Sequence, residues 1–126
     1  MAKCLLITNN PKAAERYADI WDVEFIDETT LYVLAAVRDY IHLGHGLLTH
    51  PLASSLPPKD CPYKSVLVTG QGGELDYGSL RVIEGAMEVY SKVNLDVNNF
   101  DIPQTIAEDF MVIDCEMLAR ARVYEK

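Results

Sequence analysis

Two runs constrain this chain more than any other feature. Lys3–Thr8 (KCLLIT) and Ser65–Thr69 (SVLVT) are continuously apolar after their first residues, and each ends in turn-forming residues. A strand with one wet face alternates polar and apolar side chains, whereas a strand covered on both faces reads as an unbroken apolar run. Both runs therefore predict strands held between two layers. Val23-Glu24-Phe25-Ile26 is a shorter, third strand candidate.

The segments between them carry helical signals. Asn10 suits a helix cap and Pro11 the first helical position, with Ala14, Tyr17, Ala18 and Trp21 along that helix. Thr29 or Thr30 can cap a second helix, whose Val33, Leu34, Val37, Tyr40 and Ile41 share a face, with Gly44 and Gly46 as its stops. Asp76 or Ser79 opens a third, with Leu80, Ile83, Ala86, Met87, Tyr90 and Val93 turned inward. Pro103 starts a fourth, in which Ile106, Phe110, Ile113 and Met117 recur at steps of four, three and four and predict the packed face. Strands alternating with helices imply parallel pairing through crossovers. The expectation is a single α/β domain over residues 1–126. It is a small three-layer domain with a mostly parallel sheet of three or four strands flanked by helices. No internal repeat and no domain boundary is visible.

Composition narrows the function classes. The 126 residues carry 19 acidic and 11 basic side chains, a net charge of −8. That balance disfavours a nucleic-acid surface, which needs a basic face, and docking on anionic membrane. No run reaches the length of a membrane span, and the apolar start in MAKCLLITNN is too short for a signal-peptide core. Cys4, Cys61 and Cys115 lack paired spacing, so reduced thiols in a cytoplasmic protein are expected rather than a disulfide scaffold.

One segment has no regular period. Arg38–Ser65 (RDYIHLGHGLLTHPLASSLPPKDCPYKS) holds all three histidines, Cys61 and Pro51, Pro57, Pro58 and Pro62. Leu, Tyr, Ile and His recur through it, unlike low-complexity disorder, and a connection this long in a small domain suggests a functional loop. If the second helix extends to His45, then Arg38, His42 and His45 share one face, and Asp39 lies three residues before His42 to orient its ring. Asp39 and His42 are the candidate acid/base pair, with Arg38 as a bidentate anion clamp. Ser54, Ser55 or Cys61 would supply a nucleophile, although no nucleophile-elbow pattern surrounds them. His42, His45 and His50 with the Cys61 thiolate are the only metal candidates, and their spacing matches no zinc pattern, so no metal is expected. Against these stands a plain alternative: a solvated helix end, where His suits the C-terminal dipole.

Two further loops follow strand ends, Thr8-Asn9-Asn10 and Thr69-Gly70-Gln71-Gly72-Gly73. Ligands gather at the carboxyl ends of strands in open α/β sheets. Asn9, Gly70 and Gly72 therefore join Arg38, His42, His45, His50 and Lys64 as candidate ligand-binding residues. The glycine loop matches neither the dinucleotide fingerprint nor a P-loop, and Glu74 and Asp76 would repel a phosphate. Glu84, Glu88, Glu108, Asp109, Asp114 and Glu116 read as helix-surface charges, and Trp21 and the tyrosines as core or interface.

The block RDYIHLGHGLLTHPLASSLPPKDCPYKSVL, with the opening LLITNNP and the later Glu108-Asp109-Phe110…Ile113-Asp114, resembles the GrdX family. These are small proteins encoded beside glycine, sarcosine and betaine reductase genes in amino-acid-fermenting anaerobic bacteria. The resemblance runs over nearly the whole chain. It implies a cytoplasmic setting and amino-acid reductase components as partners, carries over no catalytic residue and names no cofactor. The expected function is an accessory or binding protein that uses the 38–65 loop to hold a partner or a small anionic ligand. The alternatives are a small-metabolite enzyme with the Asp39–His42 pair and the Arg38 clamp, and a metal- or selenium-handling protein.

Overall fold

The structure is a computed structural model that describes residues 3–53, 61–92 and 103–124. Its centre is the strand β1 (Leu5–Thr8), whose Leu6, Ile7 and Thr8 are buried. The helix α1 (Pro11–Arg16) follows, with the Asn10 side-chain oxygen Oδ1 accepting from Lys12 N–H at 3.0 Å. This is the cap that the Asn-Pro pair predicts. The helix stops earlier than predicted. Tyr17 is its C-cap, and Tyr17 and Trp21 reach the core from a turn, their rings stacked 5.0 Å apart.

The strand β2 (Asp22–Phe25) lies parallel to β1, with Leu5 opposite Asp22 and Thr8 opposite Phe25. The helix α2 (Thr30–His42) then runs back along the sheet, burying Thr30, Val33, Leu34, Val37 and Ile41. The strand β3 (Ser65–Val68) pairs with the other edge of β1, with Leu5 opposite Val68 and Thr8 opposite Ser65. The order is β2-β1-β3, and β3 is antiparallel to β1. The expected mostly parallel sheet is therefore a mixed one.

The physical reason lies in the segment that follows α2. Residues 46–49 climb the free edge of β3. Leu47 bridges Val68, Leu48 N–H donates to the Leu67 carbonyl at 2.9 Å, and Thr69 N–H donates to Gly46 at 2.9 Å. The Thr49 hydroxyl oxygen takes Leu67 N–H at 3.0 Å. The ascent that would have made β3 parallel is spent on this outer segment, so β3 has to come down. The expected parallel pairing needs a crossover that returns without adding a segment to the sheet edge, which residues 46–49 do not allow.

The helices α3 (Tyr77–Ser91) and α4 (Gln104–Ala119) complete the fold. On one face of the sheet, Ile7, Val66 and Val68 pack with Val33, Leu34, Val37 and Ile41 of α2 and Ile83, Ala86 and Tyr90 of α3. On the other, Leu6 and Leu67 pack with Ala13, Tyr17, Trp21, Cys115, Leu118 and Ala121. Three layers result, as expected. Val93 lies outside the described residues.

The packed face of α4 differs from the predicted one. Cys115 and Leu118 are buried, whereas Ile106 is 43% exposed and Phe110, Ile113 and Met117 are only half-buried. Polar ties set this rotation. The Asn10 amide donates to the Met111 carbonyl at 2.9 Å, and the Tyr17 hydroxyl to the Cys115 carbonyl at 2.9 Å. No helix among the described residues is long and apolar enough to cross a membrane.

Candidate functional site

The candidate residues divide between the two ends of the sheet, because β3 runs against β1. The end where α2 finishes holds the histidines and the glycine loop. The helix stops at His42, so His45 leaves the face that Arg38 and His42 share. Gly44 turns the chain with φ of +98°, a conformation that favours glycine. His45 Nδ1 donates to the Thr69 carbonyl at 2.5 Å, and its ring stands edge-on to Tyr40 at 5.2 Å. His50 Nδ1 instead accepts Leu52 N–H at 3.1 Å, and its ring is exposed. His42 and Asp39 are exposed on α2, with Arg38 half-buried beside them. The three histidines thus have three different surroundings. Among the described residues no group of three or more His, Cys, Asp and Glu side chains is placed to hold a metal. Ser54 and Ser55 lie outside the described residues.

Gly70 and Gly72 follow β3 at this same end, far from Asn9. Gly73 N–H donates to the Leu43 carbonyl at 3.3 Å, and a Cβ on Gly72 would fall 2.4 Å from that carbonyl oxygen. Close passage of two backbones is what Gly72 provides here.

The climbing segment opens a groove of about 390 Å³ between Leu47, Leu48, Thr49 and His50 on one side and Asp76, Gly78, Ser79 and Val82 on the other. Asp76 caps α3. Its carboxylate accepts Gly78 N–H at 3.1 Å and the Ser79 hydroxyl at 2.7 Å, and these bonds, the Ser79 hydroxyl first, hold its pKa below the usual carboxylate value. The Ser79 oxygen in turn accepts Leu47 N–H at 3.0 Å, which staples the segment to the helix. A smaller hollow of about 250 Å³ lies between β2 and α2, lined by Glu24, Ala36, Asp39, Tyr40 and Leu43. There the Tyr40 hydroxyl donates to Glu24, which pushes the phenol up to about 12.

The opposite end, where β1 and β2 finish, is a buried polar knot. Asn9 holds it together. Its carbonyl oxygen accepts Lys64 N–H at 2.8 Å, and its amide donates to the Glu28 and Pro62 carbonyls, each at 3.0 Å. Thr30 adds a bond to the Pro62 carbonyl at 3.2 Å, so the incoming loop is tied to the start of α2. Across the sheet, the directly paired Thr8 and Ser65 bring their hydroxyls to 2.6 Å. Ser65 donates to Asp114 at 2.6 Å, and the Asn10 amide donates to the same carboxylate oxygen at 3.0 Å. Since Ser65 has one proton and spends it on Asp114, Thr8 is the donor in the hydroxyl pair.

Asp114 is therefore not the helix-surface charge that its sequence position predicts, because it is desolvated and holds two donors. Burial raises its pKa, opposed by the Ser65 and Asn10 bonds and by the Lys64 charge. Its spacing hid this, because on α4 it borders the stripe that sequence periodicity assigns to the core. The Thr8–Ser65 pairing was hidden too, since it depends on strand register. The only usable signal was that both apolar runs carry a hydroxyl at the same end of the sheet once β3 is reversed.

A three-stranded mixed sheet between two pairs of helices, with an apolar groove at one edge and a polar knot at one end, defines a small three-layer α/β protein. The chain belongs to the GrdX-like protein family, whose model matches residues 5–122. No curated protein and no solved structure matches it.

Proposed function

We propose that the protein is a cytoplasmic accessory protein of an amino-acid reductase system, and that it holds a segment of a partner protein in the groove beside Leu47–His50. The groove itself carries this reading. It is built by the 38–65 stretch, the part of the chain that most specifically resembles the family, and by the first turns of α3. Leu47, Leu48 and Val82 offer an apolar floor, while Asp76, Ser79 and His50 supply a few polar groups that orient an occupant. The Asp76 carboxylate favours an occupant that brings N–H donors or a positive charge. Asp39 and His42, the acid/base candidates, stand exposed on α2, outside this groove.

Tagged protein passed over purified glycine, sarcosine and betaine reductase components tests the reading. Retention of a component is expected, with a loss of tenfold or more in the Val82→Glu variant at an unchanged melting temperature. Equal retention by that variant removes the groove, and retention of no component removes the partner.

A further inference from the structure

Lys64 is the fully buried charged side chain among the described residues. It is only 3% exposed, and its backbone is clamped on both sides, accepting Asn9 N–H at 3.3 Å and donating to the Asn9 side chain at 2.8 Å. Ser65 points to the α4 face, so Lys64 points to the other. Its ammonium lies 5.4 Å from the centre of the Tyr90 ring, near the end of α3. Among the described residues no carboxylate comes within ion-pair distance of it.

Burial of an ammonium is costly unless an anion faces it. Two features of the fold favour a cation here: the Tyr90 ring face, and the C-terminal end of α3, whose last turn has no basic residue. Each offsets only a fraction of the desolvation, and burial still lowers the pKa of Lys64. The titratable groups that act on it are Asp114 of α4 and Cys61 of the incoming loop, and the Tyr90 ring of α3 lies against its ammonium. Asp114 acts on Lys64 from beyond ion-pair distance while its carboxylate is held by the Ser65 and Asn10 donors, and burial pushes the Tyr90 phenol up to about 12, so neither pairs directly with the ammonium. Nearby, α2 begins at Thr30 with no side-chain cap; the Thr29 carbonyl takes Tyr32 and Val33 N–H, which leaves the Thr30 and Leu31 N–H groups to an outside partner. The Thr30 and Asn9 bonds to Pro62 hold that turn against the Lys64 loop.

We propose that Lys64 is the anchor of a binding site for a small oxyanion, a carboxylate or phosphate group, at the end of the sheet where β1 and β2 finish and α2 begins. The site is separate from the groove and does not depend on a partner. A bound oxyanion places a counter-charge directly against the ammonium and stabilises its protonated form. Its affinity therefore falls as pH rises and Lys64 loses its proton.

Calorimetry and thermal melting test this with sodium phosphate, sodium acetate and sodium chloride at matched ionic strength, on the wild type, Lys64→Met and Lys64→Arg. Phosphate or acetate is expected to bind the wild type saturably and to raise its melting temperature, while chloride does not. Phosphate alone points to a phosphate group, acetate alone to a carboxylate. Lys64→Met should bind at least tenfold more weakly and, in chloride, melt at or above the wild-type temperature, because a desolvated charge is gone. Lys64→Arg, which keeps the charge, should retain binding. The inference is overturned if the wild type binds neither oxyanion, or if Lys64→Met binds as well as the wild type. It is also overturned if Lys64→Met melts lower while no anion response exists, the behaviour of a lysine that only completes the end of α3.

Discussion

Asp114 shows what a single half-buried, desolvated carboxyl does to this protein. Its one oxygen takes two donors, Ser65 and Asn10, yet burial still leaves its folded pKa above the ordinary carboxylate value. The folded state therefore keeps a proton that the unfolded chain gives up. The stability associated with this group is complete below the ordinary carboxylate pKa and is lost as pH rises through the folded one. Urea midpoints of the wild type measured from pH 4 upward should carry this falling component, and Asp114→Asn should lack it. Identical slopes in the two proteins would assign the pH dependence to another group. By contrast Asp114→Ala removes the acceptor of the Ser65 hydroxyl and one of the acceptors of the Asn10 amide, and should cost about 1–3 kcal/mol.

The element that decides the topology is the climb from Gly44 to Thr49, and two glycine positions measure its constraint. A Cβ on Gly44 would lie 2.1 Å from the backbone nitrogen of Gly73, and the residue already sits at φ +98°. Gly44→Ala should therefore cost about 3 kcal/mol or more, from backbone strain and forced separation of the two loops. Gly85, in the middle of α3, has no atom within 4 Å of its would-be Cβ. Gly85→Ala should stabilise the protein by about 0.5–1 kcal/mol, the ordinary gain of helix propensity. Chemical denaturation of both variants reads the contrast directly. If Gly44→Ala unfolds like the wild type, the crossing of the two loops is looser than the distances say.

At the scale of the whole molecule, both faces of the sheet are covered, and α4 seals one of them through a narrow set of contacts. Leu118 is 2% exposed against Leu6, Leu67 and Trp21 in that layer, while Ile106 on the same helix is 43% exposed. Leu118→Ala should cost about 2–5 kcal/mol, as buried leucine truncations do. Ile106→Ala should stay within about 1 kcal/mol. The reverse order would mean that α4 packs through the Ile106–Phe110–Ile113–Met117 stripe after all. The same layer contains Trp21 Nε1, a buried donor without an acceptor among the described residues, so the packing of the indole outweighs its polar cost.

The chain's own residues determined a good deal. The apolar runs at Leu5–Thr8 and Ser65–Val68 became strands covered on both faces, because an unbroken apolar run has no wet side to offer. The Asn10-Pro11 pair and Asp76 became helix caps, because capping is local chemistry. Tertiary structure decided the rest. The direction of β3 depends on how residues 46–49 pair with it, and no local pattern encodes that pairing. The rotation of α4 depends on bonds from Asn10 and Tyr17, about a hundred residues away in sequence, which choose between two apolar stripes of similar strength. The candidate residues followed the sheet. Reversing β3 sent Gly70 and Gly72 to one end and left Asn9 and Lys64 at the other, and it placed the Thr8 hydroxyl against that of Ser65, which donates to Asp114. Charge and hydroxyl groups are legible in a sequence, but whether they meet depends on strand register and direction, which exist only once the chain is folded.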